Sequence, residues 1–422
     1  MKESIKKRIE AVRRGEVPEG YVSENHQLRP VDWRYEKIGK YLVPHDEFSN
    51  NTEAYPLATS SRQGLMLQSE YYSDQRYEET SGGFHVVPEG YVTYRHMSDD
   101  NIFRFNVNRM GTPVLVSPEY PVFTAAAGLD QNLLMAYLNN MKEFTAYCSA
   151  QKKGSTRTRM YFSRLGEFAM PIPPVLEQQK IAEILATCDR VIELKQQLLE
   201  EKRRQKQWLM QKLLDPNSGV RLPGFAGSIW KVCCLGDIAD IYSGGTPDTE
   251  NEGFWNGNIL WCTPSDITNT GKYIERTEVT ISEAGLQKSS AVLLPVGAVL
   301  MCSRATIGPR TIAKVPITTN QGFKNFVCKE NLDNEFLYYA LDTVLPDLLK
   351  KAAGNTFKEV SKSDIANSKI LVPGLDEQKA IACRLATADM ELDLFEQELA
   401  AWQQKKKALM QLLLTGLVRV NA

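Results

Sequence analysis

Residues 173–189 read PPVLEQQKIAEILATCD, and two hundred positions further on residues 373–389 read PGLDEQKAIACRLATAD. Pro173, Glu177, Gln178, Ile181, Ala182, Leu185, Ala186, Thr187 and Asp189 return as Pro373, Glu377, Gln378, Ile381, Ala382, Leu385, Ala386, Thr387 and Asp389. The correspondence continues without a gap through Leu194, Gln197, Leu199, Lys206, Leu209, Met210, Gln211, Leu213 and Leu214, which return as Leu394, Gln397, Leu399, Lys406, Leu409, Met410, Gln411, Leu413 and Leu414. A gapless match at one fixed offset marks a duplicated structural unit.

Neither copy contains Gly or Pro across 175–214 or 375–414, so both read as long helices. Spacings alternate between four and three along Ile181, Leu185, Cys188, Ile192, Lys195, Leu199, Lys202, Lys206, Leu209 and Leu213. The second seam is Ile381, Leu385, Ala388, Leu392, Phe395, Leu399, Trp402, Lys406, Leu409 and Leu413. That 3.5-residue period is a coiled-coil seam, and at about 1.5 Å per residue each helix runs roughly 60 Å. We expect antiparallel pairing about midpoints near 197 and 397, with Lys195 opposite Trp402 and Lys202 opposite Phe395, where lysines cover the rings. Parallel pairing would exchange these partners.

A chain of 422 residues exceeds one ordinary core and suggests two or three domains. Its 43% hydrophobic and 24% charged content fits a folded globular protein and excludes wholesale disorder. Fifty Lys plus Arg against 51 Asp plus Glu leave a net charge of −1, so any basic surface must be local. No apolar run reaches the roughly 18 residues of a membrane span, and Met1–Arg8 lacks a signal-peptide core, so a cytoplasmic location is expected. The eight cysteines include no Cys-x-x-Cys pair and read as free thiols.

A globular segment precedes each helix. The two share edges: Trp33 and Ile38-Gly39 match Trp230 and Leu235-Gly236, and Gly154-Ser155-Thr156 matches Gly354-Asn355-Thr356. Residues 5–14 followed by Gly20-Tyr21 resemble 205–214 followed by Gly224-Phe225, so the amino terminus is a partial copy of the end of the first long helix. Inside these edges, runs such as Phe84–Val87 and Ser290–Leu294 read as strands, and 132–145 and 334–351 as helices. Each segment is therefore a mixed α/β domain.

The chain contains no phosphate loop, no strand-bound Gly-x-Gly-x-x-Gly and no Asn/Asp-Pro-Pro-aromatic methylation motif, and Asp215-Pro216-Asn217 reads as a turn. Glu177 and Glu377 stand in the first turn of a helix, where its dipole favours an acid over a nuclease role. The positive signals are loops. Lys152, Lys153, Ser155, Thr156, Arg157 and Arg159 place cations and hydroxyls around Gly154, and Lys350, Lys351, Thr356 and Lys358 surround Gly354. Phosphates favour such cations and hydroxyls, and base edges favour Arg, Asn or Gln forks. Gly245 and Thr246 in a tight turn, Ser303 and Arg304, and Thr319, Asn320 and Gln321 are further candidate contacts.

With Pro-x-x-x-Glu-Gln at 173–178 and 373–378, Trp230, Leu235-Gly236-Asp237-Ile238, Gly244-Gly245-Thr246-Pro247, Trp255, Trp261, Ser303–Gly308 and Asn320-Gln321-Gly322, the chain resembles the specificity subunits of type I restriction-modification systems. The first domain lacks the Gly-Gly-Thr-Pro turn. The resemblance implies an α/β (α+β) fold: two globular target recognition domains separated by two long antiparallel coiled-coil helices in a pseudo-two-fold internal repeat. On that reading 1–21 is a helix and linker, 22–172 the first recognition domain, 173–216 a spacer helix, 217–372 the second recognition domain, 373–416 a second spacer helix and 417–422 a tail. It implies a non-catalytic reader of a bipartite, asymmetric site in double-stranded DNA. Two methyltransferase subunits would dock on it and bring S-adenosylmethionine, and motor-nuclease subunits would bring ATP and Mg²⁺, with no cofactor held by this chain. The rival readings are a stand-alone DNA-modifying enzyme and a coiled-coil adaptor with two non-DNA ligand-binding domains.

Overall fold

The computed structural model describes residues 3–24, 27–71, 83–152, 157–353 and 359–420. It divides into two compact units, residues 1–195 with 398–422, and residues 196–397. The boundary falls inside both long helices, Val175–Leu213 and Leu375–Leu414.

Every residue of the two seams is buried or half-buried. In the first unit Ile181 and Leu185 share a core with Met410, Leu413 and Leu414, while Lys406 pairs with Asp189 and Lys195 with Glu398 at 2.6 Å. In the second unit Leu213 and Leu214 share a core with Ile381, Ala382 and Leu385. There Lys202 meets Glu391 at 3.1 Å, Arg203 meets Glu396 at 2.7 Å, and Lys206 pairs with Asp389. From one end of each unit to the other, earlier residues of the first helix meet later residues of the second, as with Lys202 and Arg203 on Glu391 and Glu396 but Leu213 beside Ile381 and Leu385, so the helices are antiparallel. Lys202 lies 5.9 Å from the Phe395 ring centre as expected. Trp402 departs from expectation: the cation over its ring, at 4.5 Å, is Lys405 of its own helix, because Lys195 is engaged by Glu398. Burying each Leu or Ile is worth about 1.5–3 kcal/mol, against about 0.2–1 for an exposed ion pair. The apolar ends therefore carry the stability and the charged middle fixes the register.

The shared edges become a shared frame. In the first unit Arg34–Lys37 pairs antiparallel with Ala169–Ile172, Arg34 facing Ile172; in the second Lys231–Cys234 pairs with Lys369–Val372, Lys231 facing Val372. The turn that follows each first strand packs on the short helix before the last strand. A Cβ on Gly39 would stand 2.8 Å from the Gly166 carbonyl oxygen, and one on Gly236 would stand 3.1 Å from the Ala366 Cβ. The Glu-Gln pair joins this frame to the long helix. Buried Gln178 accepts from the Asp130 backbone N–H at 2.7 Å and donates to the Gly128 and Pro173 carbonyls. Gln378 accepts from the Asp333 N–H at 2.8 Å and donates to the Asn331 and Pro373 carbonyls.

Inside the frame the units differ. The first holds a four-stranded sheet, in the order Phe105–Val107, Val92–Tyr94, Val122–Ala125, Leu42–Pro44, and a three-stranded sheet, Val114–Val116, Phe84–Val87, Phe48–Ser49. The second holds a five-stranded mixed sheet, Ala239–Ser243, Phe323–Cys328, Val299–Cys302, Arg310–Ala313, Tyr273–Ile274, and a three-stranded one centred on Trp255–Cys262.

Phe84–Val87 is the expected strand. Ser290–Leu294 is not: it is irregular apart from one bridge between Leu294 and Ile317, because its backbone turns past Gly245. Residues 132–145 form two helices, Gln131–Asn140 and Lys142–Ala150, broken where Met141 takes an extended backbone, φ −88° and ψ 131°. The helix expected at 334–351 spans Asn334–Ala353 and contains Pro346. Among the described residues no helix is long and apolar enough to cross a membrane.

Candidate functional site

In the second unit the glycine-rich turn is a packing device. A Cβ on Gly244 would lie 1.8 Å from the Asn320 carbonyl oxygen, and one on Gly245 would lie 2.3 Å from the Ala291 nitrogen. Two bonds lock this approach: the Gly245 N–H donates to the Thr319 carbonyl at 2.9 Å, and the Trp261 indole N–H donates to the Gly245 carbonyl at 2.9 Å. Thr319 is fully buried, its hydroxyl accepting from the Asn325 side-chain amide at 2.8 Å. Ser303 is buried too and donates to the Gly322 carbonyl at 3.1 Å. The half-buried Asn320 spends its side-chain oxygen on the Gly322 N–H at 2.9 Å.

The expectation that Gly245, Ser303 and Thr319 contact a ligand is therefore corrected. Their polar atoms are buried and satisfied within the turn, and Asn320 is largely committed there. What the turn presents outward is Thr246, whose hydroxyl donates to the Gln321 side-chain oxygen, together with exposed Gln321. Arg304 is exposed on the adjoining loop, next to Ala305, which takes the left-handed conformation at φ +62°. A non-glycine residue there marks a backbone held by its surroundings.

In the same unit Lys350 and Lys351 are exposed in the last turn of the helix Asn334–Ala353, where cations complement the dipole, and Lys350 meets Asp347 at 3.4 Å. Thr356 and Lys358 lie outside the described residues, as do Lys153, Ser155 and Thr156 of the first unit.

Of the first basic loop the structure places Lys152, Arg157 and Arg159, all exposed. The intervening Thr158 is buried and donates to the Asn101 side-chain oxygen at 2.5 Å, which turns its arginine neighbours outward. Arg157 donates through Nε to Asp99 at 2.7 Å. Thr158–Arg159 pairs with Met97–Ser98, so the loop lies beside residues 95–104.

Two depressions flank this pair of strands. One, of about 370 Å³, is lined by Ser60, Arg62, Gln63, Arg95, Asp99 and Arg104 among others. The other, of about 490 Å³, is lined by His96, Glu119, Arg159 and Tyr161 among others. Tyr161 is half exposed, and its ring lies against His96 at 5.9 Å between centres. Burial lowers the His96 pKa, against the attraction of Glu119.

The type I restriction modification DNA specificity domain family matches the chain over residues 88–202 and 228–401, more than half its length. This chain belongs to that family.

Among relatives of this specificity-domain chain is the type I restriction enzyme MjaIX specificity subunit of Methanocaldococcus jannaschii, 39% identical over 40% of this chain and 39% of that protein. The putative type I restriction enzyme MjaX specificity subunit of the same organism is 27% identical over 68% of each chain. The first of these matches thus spans well under two thirds of the relative's length. A chain solved in work on complex assembly and conformational transition of the type I R-M system superposes with a TM-score of 0.57, at 19% identity, over 93% of this chain and 99% of that one. At that identity the likeness establishes the fold.

The family resemblance read from the Pro-x-x-x-Glu-Gln repeats and the Gly-Gly-Thr-Pro turn is thus borne out. What sequence reasoning missed in this specificity-domain chain is the cleft around Arg62, Gln63, Arg95 and Arg104. Its members are scattered over more than forty positions and match no motif. The one local signal is the turn-forming run Ser98-Asp99-Asp100-Asn101 between Arg95 and Arg104.

Proposed function

We propose that the chain is the DNA-reading, non-catalytic specificity subunit of a type I restriction-modification complex. The globular part of each unit reads one half of a bipartite, asymmetric site in double-stranded DNA, and the paired long helices set the unread spacer. The observation that carries this reading is the family match, which places one matched stretch mainly in each unit. The polar, cation-bearing surfaces on each unit supply the chemistry. Exposed guanidinium and amide groups contact phosphates and base edges, while a buried scaffold of hydrogen bonds fixes their positions.

Two methyltransferase subunits dock along the helices. Met390 and Leu394 of the second unit are 64% and 57% exposed although they lie on a helix with a well-filled seam, which suits a protein partner. S-adenosylmethionine belongs to those partners, which take the target adenine out of the stack to modify it. ATP and Mg²⁺ belong to motor-nuclease subunits.

The test is binding of the full chain, alone and with its methyltransferase partner, to duplexes carrying both, one or neither half-site. Binding should fall steeply with salt and should be lost when either half is changed. Arg157→Ala with Arg159→Ala should weaken recognition of one half only, and deleting one heptad from each long helix should change the preferred spacer. Binding indifferent to salt and sequence would leave the adaptor reading; methyl transfer by the purified chain alone would revive the stand-alone enzyme.

A further inference from the structure

The cleft of about 370 Å³ in the first unit is lined by three arginines, Arg62, Arg95 and Arg104. Arg62 stands in the turn that joins Ala58–Ser60 to Leu65–Leu67, 63% exposed, and donates through Nη2 to Asp100 Oδ1 at 2.6 Å. Asp100 is itself pinned, since it accepts from the Ser98 hydroxyl at 2.9 Å and from the Ile102 N–H at 3.2 Å. The bond from Arg62 comes first among the causes that hold its carboxyl down to about 2, so it is ionised wherever the protein works. The loop carrying Asp100 is fixed in turn by Asn101, whose backbone is left-handed at φ +66° and whose side chain accepts from buried Thr158. An exposed guanidinium thus has its orientation set by a carboxylate that is bonded three ways; the bond to Asp100 uses one of the two Nη2 hydrogens, so one two-donor edge, formed by the other Nη2 hydrogen with either Nε or Nη1, keeps no bond among the described residues.

We propose that Arg62 is a base-reading residue of the first unit, contacting a guanine edge in the major groove, and that Asp100 is its positioning residue. This deepens the proposed DNA-reading function and rests on it. A planar fork held in place loses less freedom on binding than a free side chain, which is what a bidentate contact to O6 and N7 of guanine requires. The pairing separates base from phosphate contacts: Asp100 offsets the charge of Arg62 itself, while Asp99 is paired with Arg157 and the neighbouring Arg95 and Arg104 supply the cleft's attraction for phosphate. Base edges are neutral, and their amino groups donate to carboxylates.

The experiment selects duplexes from a random pool with the full wild-type chain, Arg62→Ala, Arg62→Lys and Asp100→Asn, sequences them, and measures affinity against salt for the selected site. Preference for guanine at one position of one half-site should fall about 5- to 100-fold in Arg62→Ala. Arg62→Lys, which keeps the charge but not the fork, should lose the same preference while retaining the salt slope. Asp100→Asn should relax that position with the salt slope unchanged, and the other half-site should be selected as before by all three variants. A loss of affinity equal for all sequences, with the salt slope reduced by about 1, would make Arg62 a phosphate contact and overturn the inference. Unchanged selection by Arg62→Ala would overturn it too. If the wild-type chain selects nothing, the DNA-reading function itself fails, and that outcome is told apart by the wild-type arm.

Discussion

The Trp33 indole N–H donates to the buried carboxylate of Glu177 at 3.0 Å. Arg419 completes the arrangement, donating to both Glu177 oxygens at 2.7 and 2.8 Å and to both oxygens of Asp32 at 3.0 and 2.8 Å. The second unit carries the same residue types in looser form. Arg221 lies 3.9 Å from Glu377 and 5.3 Å from the Trp230 ring centre, while the Trp230 indole N–H and one Glu377 oxygen are buried without a hydrogen-bond partner among the described residues. One repeated motif therefore supports a saturated charge cluster in one unit and an unsaturated one in the other.

Glu177→Gln should consequently cost more than Glu377→Gln. Removing one charge of a buried pair costs up to about 3–5 kcal/mol, and the one-third exposure of Arg419 reduces this to roughly 1–3. Glu377→Gln removes a buried charge with a distant partner and should be neutral within about 1 kcal/mol. Thermal unfolding followed by circular dichroism separates the two, at about 2–4 °C per kcal/mol for units of this size; equal losses would contradict the assignment. Arg419 also holds the Asp32 carboxyl below the usual carboxylate range. Its folded pKa lies under its unfolded one, so this contribution is complete above about pH 4 and fades as pH falls through the folded value. An Arg419→Ala chain should lack that part of the acid dependence.

The antiparallel register predicts a coupling between Lys202 and Glu391, which lie 3.1 Å apart at the half-buried middle of the seam. Lys202→Glu alone sets like charges together and should lower stability, and adding Glu391→Lys should restore most of the loss. The coupling should be about 0.2–1 kcal/mol at low salt and should shrink as salt screens it. A double-mutant cycle by urea unfolding measures it. Additive single effects would mean that the two residues do not meet.

At the Gly-Gly-Thr-Pro turn, packing and contact can be separated by substitution. Gly244→Ala drives a methyl group into the Asn320 carbonyl, a backbone atom with little room to move, and should cost about 1–3 kcal/mol or more. Thr246→Ala and Gln321→Ala change groups at the surface and should leave stability within about 0.5–1 kcal/mol while weakening DNA recognition. Comparing unfolding midpoints with binding of the selected duplex checks this. A stable Gly244→Ala chain that has lost only binding would make the turn a contact rather than a scaffold.

What could be read from the sequence followed from how local the signals are. Helical periodicity extends over 39 and 40 residues of the long helices, so the seam and its burial were legible from spacing, whereas the antiparallel direction was not, because parallel pairing fits the same period and only the ion pairs between the helices decide it. The Glu-Gln pair was visible as a repeat, but its work was not. Gln178 bridges to Gly128 and Asp130, some fifty positions earlier, and Glu177 binds Arg419, 242 positions later. The same distance hid the candidate site. Arg62 acquires meaning only when the fold brings Asp100 to it, and the Gly-Gly-Thr-Pro turn looked like a contact because its tight partner, Asn320, lies far along the chain. The break at Met141 follows no Gly or Pro and was invisible to propensity.

The cysteines give a final test, of burial across both units. All eight are free. Burial pushes the Cys148 thiol up to about 12, the Cys328 thiol to about 12 and the Cys302 thiol to about 11, and it raises Cys262 further. Only the thiolate attacks a disulfide reagent, so these four should be inert in the folded protein at pH 8 through lack of thiolate and, for the buried Cys148, Cys262 and Cys302, through lack of access as well. Cys383 is exposed on the second long helix and should react first. Titration with an aromatic disulfide should show one fast thiol, removed by Cys383→Ser. The four raised thiols should react only when urea unfolds the unit that contains them: Cys148 with the first, and Cys262, Cys302 and Cys328 with the second. Fast reaction of Cys262 or Cys302 in the native chain would mean that the core beneath the Gly-Gly-Thr-Pro turn is open, and the packing role given to that turn would fall with it.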